Sequence, residues 1–277
     1  MKHCRFLSWG CGVQSTVLGE MSVQGILEPL DAIITSDTGF ERQATYEVRD
    51  FYAARWRGMG QRVEIVDAGD IRELGAAEHI HIPFWTSDGG PLQRQCTRHF
   101  KLTPTKQWMR EIAGYHATEP PHPRPREFEV WLGISLDEWT RAKRNPPAFQ
   151  WERWPLLELK MTREDCIAWL QERGLPVPVK SACICCPYRR ASEWIELRED
   201  APDEFAAALA FDGQNRHNPL AERAASTADE LYIYGGGGSR PEALATADLE
   251  GDAARERQRA SGFQIPMALC EGGYCWS

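Results

Sequence analysis

Short apolar runs alternate with stretches of helical spacing along the first part of the chain. Residues 4–8, Cys4-Arg5-Phe6-Leu7-Ser8, read as a short buried strand entering a Gly-rich turn, Trp9-Gly10-Cys11-Gly12. Residues 15–24 have helical spacing, with Val17, Leu18, Met21 and Val23 available for packing. A second strand is predicted over 31–36, broken by Asp37-Thr38-Gly39, then a helix over 44–57 and a third strand over 63–66. Strands alternating with helices of this length predict an α/β fold, a doubly wound, mostly parallel sheet with helices on both faces. From 75 to 95 both periods fade, which predicts an active-site loop. A helix is expected over 103–112, with Pro104 near its start, and 119–125 is a Pro-rich exposed connection.

Residues 128–134, Phe-Glu-Val-Trp-Leu-Gly-Ile, are the fourth strand. A helix follows over 162–173, capped by Thr162 with Asp165 three residues on and stopped by Gly174. Beyond Pro187 the chain reads helical through Leu209, and Gly235-Gly236-Gly237-Gly238-Ser239 has the composition of a flexible linker. The expected organisation is a nucleotide-binding α/β domain over 1–180 and a helical segment packed on it over 181–234. A Gly-linked, cysteine-bearing tail over 235–277 completes it. No internal repeat is present.

The chain has 277 residues, 42% hydrophobic and 26% charged, ordinary values for a soluble globular protein. Its apolar stretches are too short to cross a bilayer, and the first residues do not continue into the apolar run of a signal peptide. The expectation is a cytoplasmic protein that does not engage a membrane. A net charge of −8 repels polyanions on average. Nine cysteines in a reducing compartment point to metal binding or reactive thiols rather than disulfides.

The turn at Gly10 and Gly12 lets a backbone approach a phosphate, and the N–H groups opening the following helix point at such an anion. Ser15 and Thr16 add hydroxyls there. No Gly-Lys-Ser/Thr occurs at this turn, so it is not a Walker-type loop. Taken alone, it fits a plain strand–helix connection equally well.

Cys183-x-x-Cys186-Pro187 places two thiolates on one tight turn, a pairing suited to a metal or cluster. Cys96 lies among Arg94, Arg98, Lys101 and Lys106, whose charge favours thiolate. Cys275 or Cys270 is available as a fourth ligand. Spacing fits iron–sulfur and zinc alike. Cys4, Cys11, Cys166 and Cys185 read as small buried hydrophobes, Cys11 being notable for its place in the phosphate turn. His79 and His81 read as structural or solvated, and Trp85, Trp131, Trp151, Trp154 and Trp194 as packing residues.

Five segments together resemble the adenine nucleotide α-hydrolase (PP-loop) superfamily, in its phosphoadenosine phosphosulfate (PAPS) reductase-like branch. They are Gly10 to Thr16, Asp37-Thr38-Gly39-Phe40-Glu41, the run from Arg94 to Pro104, Gly133-Ile134-Ser135-Leu136-Asp137-Glu138 with Arg141, and Ser181 to Pro187. The resemblance spans about Cys4 to Trp194 and implies a HUP/Rossmann-like sheet. It implies that Ser8, Gly10, Gly12, Val13, Gln14, Ser15 and Thr16 surround the phosphates of ATP. Ser36 and Asp37 would then flank the adenosine, with Gly133 and Ile134 at the adenine edge. Gln14, Ser15 and Asp37 are implied as the catalytic group. All lie at carboxyl ends of predicted parallel strands, where open α/β sheets bind ligands.

Gln14 stands where the loop usually has Asp, so Asp37 is the expected substitute for placing Mg²⁺. Ser135 replaces an Arg of the third motif, which weakens the likeness to sulfonucleotide binding. The resemblance favours a [4Fe–4S] cluster on Cys96, Cys183, Cys186 and a tail cysteine over zinc. It further implies an ATP pyrophosphatase that adenylates an acceptor for sulfur transfer, as in tRNA thiolases and subunits of DNA phosphorothioation systems. The expected partners are a nucleic acid, held by local basic groups (Arg94, Arg98, Lys101, Arg141, Lys143, Arg144, Arg189, Arg190) or by a partner subunit, and a cysteine desulfurase as sulfur donor. The alternatives are a thioredoxin-dependent sulfonucleotide reductase, in which a tail cysteine is the nucleophile, and a non-catalytic nucleotide-binding assembly subunit with structural zinc.

Overall fold

The computed structural model describes residues 4–74, 82–112, 128–142, 150–219, 229–238 and 240–262. The expectations for His79, His81, the 119–125 connection, Lys143, Arg144, Cys270 and Cys275 fall outside these residues.

Five strands form one parallel sheet: β1 (Cys4–Ser8), β2 (Ala32–Asp37), β3 (Val63–Asp67), β5 (Phe128–Leu132) and β6 (Gln150–Arg153), in the order β3-β2-β1-β5-β6. Alternation along the strands sends successive side chains to opposite faces. Leu7, Ile33 and Trp131 pack under α1 (Val13–Val23), α2 (Gln43–Gly58) and α6 (Arg163–Gln171). Phe6, Ala32, Ile34, Val130 and Leu132 pack on the other face, with Met109 and Trp108 of α4 (Thr103–Ile112). The fold is therefore doubly wound α/β. Among the described residues no helix is long and apolar enough to cross a membrane.

The chain winds outward from β1 to β2 and β3, then returns to lay β5 on the opposite flank of β1. Loops after β1 and β5 consequently diverge, leaving a crevice at the carboxyl edge between them. The strand β6 was not predicted. Its sequence, Gln-Trp-Glu-Arg, has no apolar run, and it lies at the sheet edge with Trp151 exposed.

A third core joins residues of the α/β loops, Phe40, Ile82, Phe84 and Phe100, to α7 (Ala191–Asp200), α8 (Pro202–Asn215) and α9 (Leu249–Gly262). The helical stretch expected to end at Leu209 is two helices. It breaks at Ala201 (φ −145°), because Pro202 excludes helical backbone in the residue before it, and it runs on to Asn215. In the expected loop, Trp85–Thr86 (β4) pairs antiparallel with Leu231–Tyr232 (β7), and Ile82, Phe84 and Leu92 are buried. That part of the loop is core.

The Gly run is not a linker either. Gly236–Gly238 make one tight helical turn with positive φ throughout (68°, 54° and 94°). A methyl at Gly235 would come within 2.5 Å of the Trp85 ring, and one at Gly237 would overlap Asp252. Close packing selects glycine there.

Asp212 ties this lobe together. Its Oδ1 accepts from Ile233 N (2.9 Å), and its Oδ2 accepts from Leu244 N (3.1 Å) and Arg216. Asp212 is 3% exposed. Asp212→Asn would turn an NH₂ toward one of these donors, a loss of about 1–3 kcal/mol. Thermal melting is expected to show it as a lower Tm.

Candidate functional site

A pocket opens at the crevice between β1 and β5, where open α/β sheets bind ligands. Its walls are the carboxyl ends of three strands: Ser8, Trp9, Gly10 and Cys11 after β1, Ile34 to Asp37 on β2, and Leu132, Gly133 and Ile134 after β5. Thr45, Tyr46 and Arg49 of α2, with Lys101, Leu102 and Thr105 opposite, complete it. Of the sequence-predicted nucleotide residues, Ser8, Gly10, Ser36, Asp37, Gly133 and Ile134 line the pocket.

The start of α1 stands behind this wall. Gly12 caps it in extended conformation, and no side chain accepts from the first amides. Those N–H groups carry the positive end of the helix dipole. Val13 is core, and Thr16, fully buried, accepts a hydrogen bond from Trp9 Nε1 (2.9 Å). The Thr16 hydroxyl thus helps hold the turn in shape, with its own O–H still available to donate. Ser15 Oγ donates to Gly12 O (3.3 Å). Gln14 Nε2 donates to Glu138 Oε2 (3.2 Å) and Ser135 Oγ (3.4 Å), and Arg141 pairs with Glu138 at 2.6 Å. A carboxylate only accepts, so Glu138 fixes which end of the Gln14 amide faces it.

Asp37 accepts three hydrogen bonds: Oδ1 from Gly39 N (2.8 Å) and Tyr46 OH (3.1 Å), and Oδ2 from Arg49 (2.6 Å). Oδ2 keeps one acceptor position open. Burial, with the Asp37 carboxylate adding to it, pushes the Tyr46 phenol up to about 12, so it stays a neutral donor. Sequence reasoning missed Tyr46 and Arg49. Their three-residue spacing on one face of α2 was the available signal.

Ser36 Oγ donates to Phe100 O (2.5 Å), fixing a widened helical turn, Thr97–Leu102, that carries Lys101. Such π-turns recur at functional sites. Lys101 Nζ lies 3.0 Å from Glu41 Oε1, which also accepts from Thr38 Oγ1 (3.1 Å) and Cys183 Sγ (3.3 Å). Burial alone would raise the Glu41 pKa; the Lys101 ammonium and the hydrogen bonds outweigh it and hold the carboxylate charged. Burial likewise disfavours charge on Lys101, and Glu41 overcomes it. Cys11, at φ +57°, lies 3.4 Å from Thr35 Oγ1, and burial pushes its thiol up to about 12. It is a neutral wall residue.

The segment bearing Cys183 is stitched to this pocket by a backbone bridge between Glu41 and Cys183, with Ile184 N donating to Phe40 O (2.8 Å). Cys183 and Cys186 share one turn, closed by Cys186 N on Cys183 O (3.1 Å). Cys96, ninety residues before Cys186 in sequence, packs against the same core as Cys183. Burial holds Cys183, Cys185 and Cys186 above the ordinary thiol range, so a metal would have to displace their protons. Cys185 and Cys166 are buried apolar residues as expected.

Three thiols from two segments, flanked by Arg94 and Arg189, are a donor set of the soft type that iron–sulfur clusters and zinc take. Among the described residues, however, no three such side chains stand close enough to enclose an ion as they are placed. The thiol chemistry fits such a group, and the ligand set is incomplete without a further residue.

Fold and site together define an α/β protein with a pocket at the switch point of a parallel sheet and a Cys-x-x-Cys turn stitched to its rim. No protein-family model matches the chain, and no curated protein does. Among solved structures it is similar to the U34-tRNA thiolase NcsA from Methanococcus maripaludis with its [4Fe–4S] cluster. That likeness has 13% identity and a TM-score of 0.38, covering 77% of this chain and 72% of that one. A likeness of that size adds nothing to the strand order and the pocket, which stand on their own.

Proposed function

We propose that the pocket binds ATP and that the chain is an ATP pyrophosphatase of the PP-loop type, activating a nucleic-acid acceptor for sulfur transfer. The observation carrying this reading is the bridge between Glu41 and Cys183, which sets a thiol-rich segment against the pocket at the carboxyl edge of the sheet. The acceptor oxygen attacks the α-phosphorus of ATP, the bond to the β-phosphate breaks, and pyrophosphate leaves. A sulfide-level nucleophile, released from a desulfurase persulfide by a thiol reductant that is oxidised to a disulfide, then displaces AMP together with that oxygen. The chain's own part is positional: the uncapped amides of α1, with Lys101 and Arg141 nearby, favour the negative charge that grows on the leaving pyrophosphate. Cys96, Cys183 and Cys186, with Cys275 or Cys270, would hold a [4Fe–4S] cluster, which supplies iron at which sulfur is carried.

The test is pyrophosphate release from ATP in the presence of nucleic acid and sulfide, expected to fall about tenfold in Ser15→Ala. Anaerobically purified protein is expected to contain iron and acid-labile sulfide, both lost in Cys96→Ser and Cys183→Ser. A colourless zinc protein overturns the cluster, and thioredoxin-dependent reduction of PAPS to sulfite overturns the pyrophosphatase. The capture of Gln14 by Glu138 favours a second reading, a subunit that holds ATP without cleaving it. ATP binding with no pyrophosphate release under any acceptor would establish that reading instead.

A further inference from the structure

The two sequence segments that bear the candidate cysteines carry a charge opposite to that of the whole chain, with Lys101 and Lys180 paired to Glu41 and Glu193 from elsewhere. From Gly89 to Arg110 there are five Lys or Arg (Arg94, Arg98, Lys101, Lys106 and Arg110) and no Asp or Glu; from Lys180 to Ser192 there are three (Lys180, Arg189 and Arg190) and again no acid. The net charge of the protein is −8. Folding joins these two basic segments: the guanidinium of Arg94 lies over the Tyr188 ring at 5.2 Å. Tyr188, two residues after Cys186, is 42% exposed, and Arg98 and Arg190 are exposed beside their own cysteine segments.

We infer that Tyr188, with Arg94 stacked on it, is a base-stacking platform that seats a single-stranded nucleic acid across the rim of the cysteine segment. This rests on the acceptor reading above and assigns the surface that would hold it. An aromatic ring accepts any base on its face, and flanking cations take the phosphates on either side. The exposed ring at Trp151 makes the contrast. It is 52% exposed, but around it four carboxylates (Glu28, Glu129, Glu152 and Glu158) outnumber the two guanidiniums, Arg5 and Arg153, that pair with three of them, a balance unfavourable to a polyanion. A duplex keeps its bases stacked on one another, so the platform selects single strands or loops. An acidic protein would find the same cations but gain nothing from the aromatic plane.

The experiment is fluorescence anisotropy of the full chain with labelled oligo-U and oligo-dT of about a dozen nucleotides, within the span such sites cover. Tyr188→Ala is expected to weaken binding about tenfold, as loss of one stacked base does, while Tyr188→Trp restores it and Trp151→Ala leaves it unchanged. Arg94→Gln is expected to flatten the log–log salt slope by about 0.7, one phosphate contact on a single strand. Thermal melting confirms that each variant is folded. Equal binding by wild type and Tyr188→Ala, or preference for duplex, overturns the platform and leaves the acceptor reading standing. No oligonucleotide binding at all overturns both, and pyrophosphate release then decides what remains of the ATP reading.

Discussion

Gly133→Ala is expected to remove pyrophosphate release almost completely, by about 10²-fold, and to lower Tm. The added methyl would sit 2.6 Å from Ser15 N and 2.9 Å from Ser15 Cα, both backbone atoms that cannot swing aside. Either β5 or the start of α1 must shift. Overpacking of this kind costs about 1–3 kcal/mol in stability, and a displacement near 1 Å at a reacting centre costs on the order of 10²-fold in rate. Gly12→Ala is the companion experiment. A methyl there meets nothing within 4 Å, so Tm should hold while ATP affinity, measured by calorimetry, falls. Unchanged affinity in Gly12→Ala would mean that the open space beside Gly12 is not where phosphate lies, and the ATP reading would lose its anchor.

Glu20→Ala is expected to destabilise the protein by about 1–3 kcal/mol, the cost of leaving the buried Trp56 Nε1–H without its acceptor. The Glu20 side chain is fully buried behind the phosphate turn, whereas Arg55 reaches solvent. The Glu20 carboxylate accepts from Arg55 (2.7 Å), from Trp56 Nε1 (2.7 Å) and from Gln24 (2.8 Å). At roughly 2–4 °C per kcal/mol for a chain of this size, Tm should fall by about 5 °C. Burial acts to raise the Glu20 pKa, but these donors prevail and hold it below the ordinary range. Its stabilisation is therefore complete above the unfolded Glu pKa and is lost as pH falls through the lower folded value. A plot of Tm against pH should show a shallower acid limb in Glu20→Gln than in wild type. Identical limbs would mean that Glu20 does not carry this share of acid sensitivity.

The parts of the fold that were legible in sequence are those whose signal is local. The strands β1, β2, β3 and β5 are apolar runs followed by turn residues, and the Thr162–Asp165 capping box is present as the spacing predicts. What failed depended on partners far away in sequence. The edge strand β6 has no apolar signature because one of its flanks needs none. The glycines at 235–238 look like slack in composition, yet Trp85 and Asp252 decide them.

In the site, Ser36 and Asp37, implied by the resemblance and sitting at the carboxyl end of β2, line the pocket. The Trp9 indole that donates to Thr16 is a contact only the fold reveals. Glu41 had no assigned role. Its importance comes from Lys101 and Cys183, neither of which the local sequence around residue 41 can indicate.

The contact between Glu41 and Cys183 also has a consequence in time. The two residues are 142 positions apart. At a synthesis rate of about 5–20 residues per second, the carboxylate emerges roughly 7–30 s before the thiol that will face it. During that interval the first half of the pocket exists without its cysteine edge.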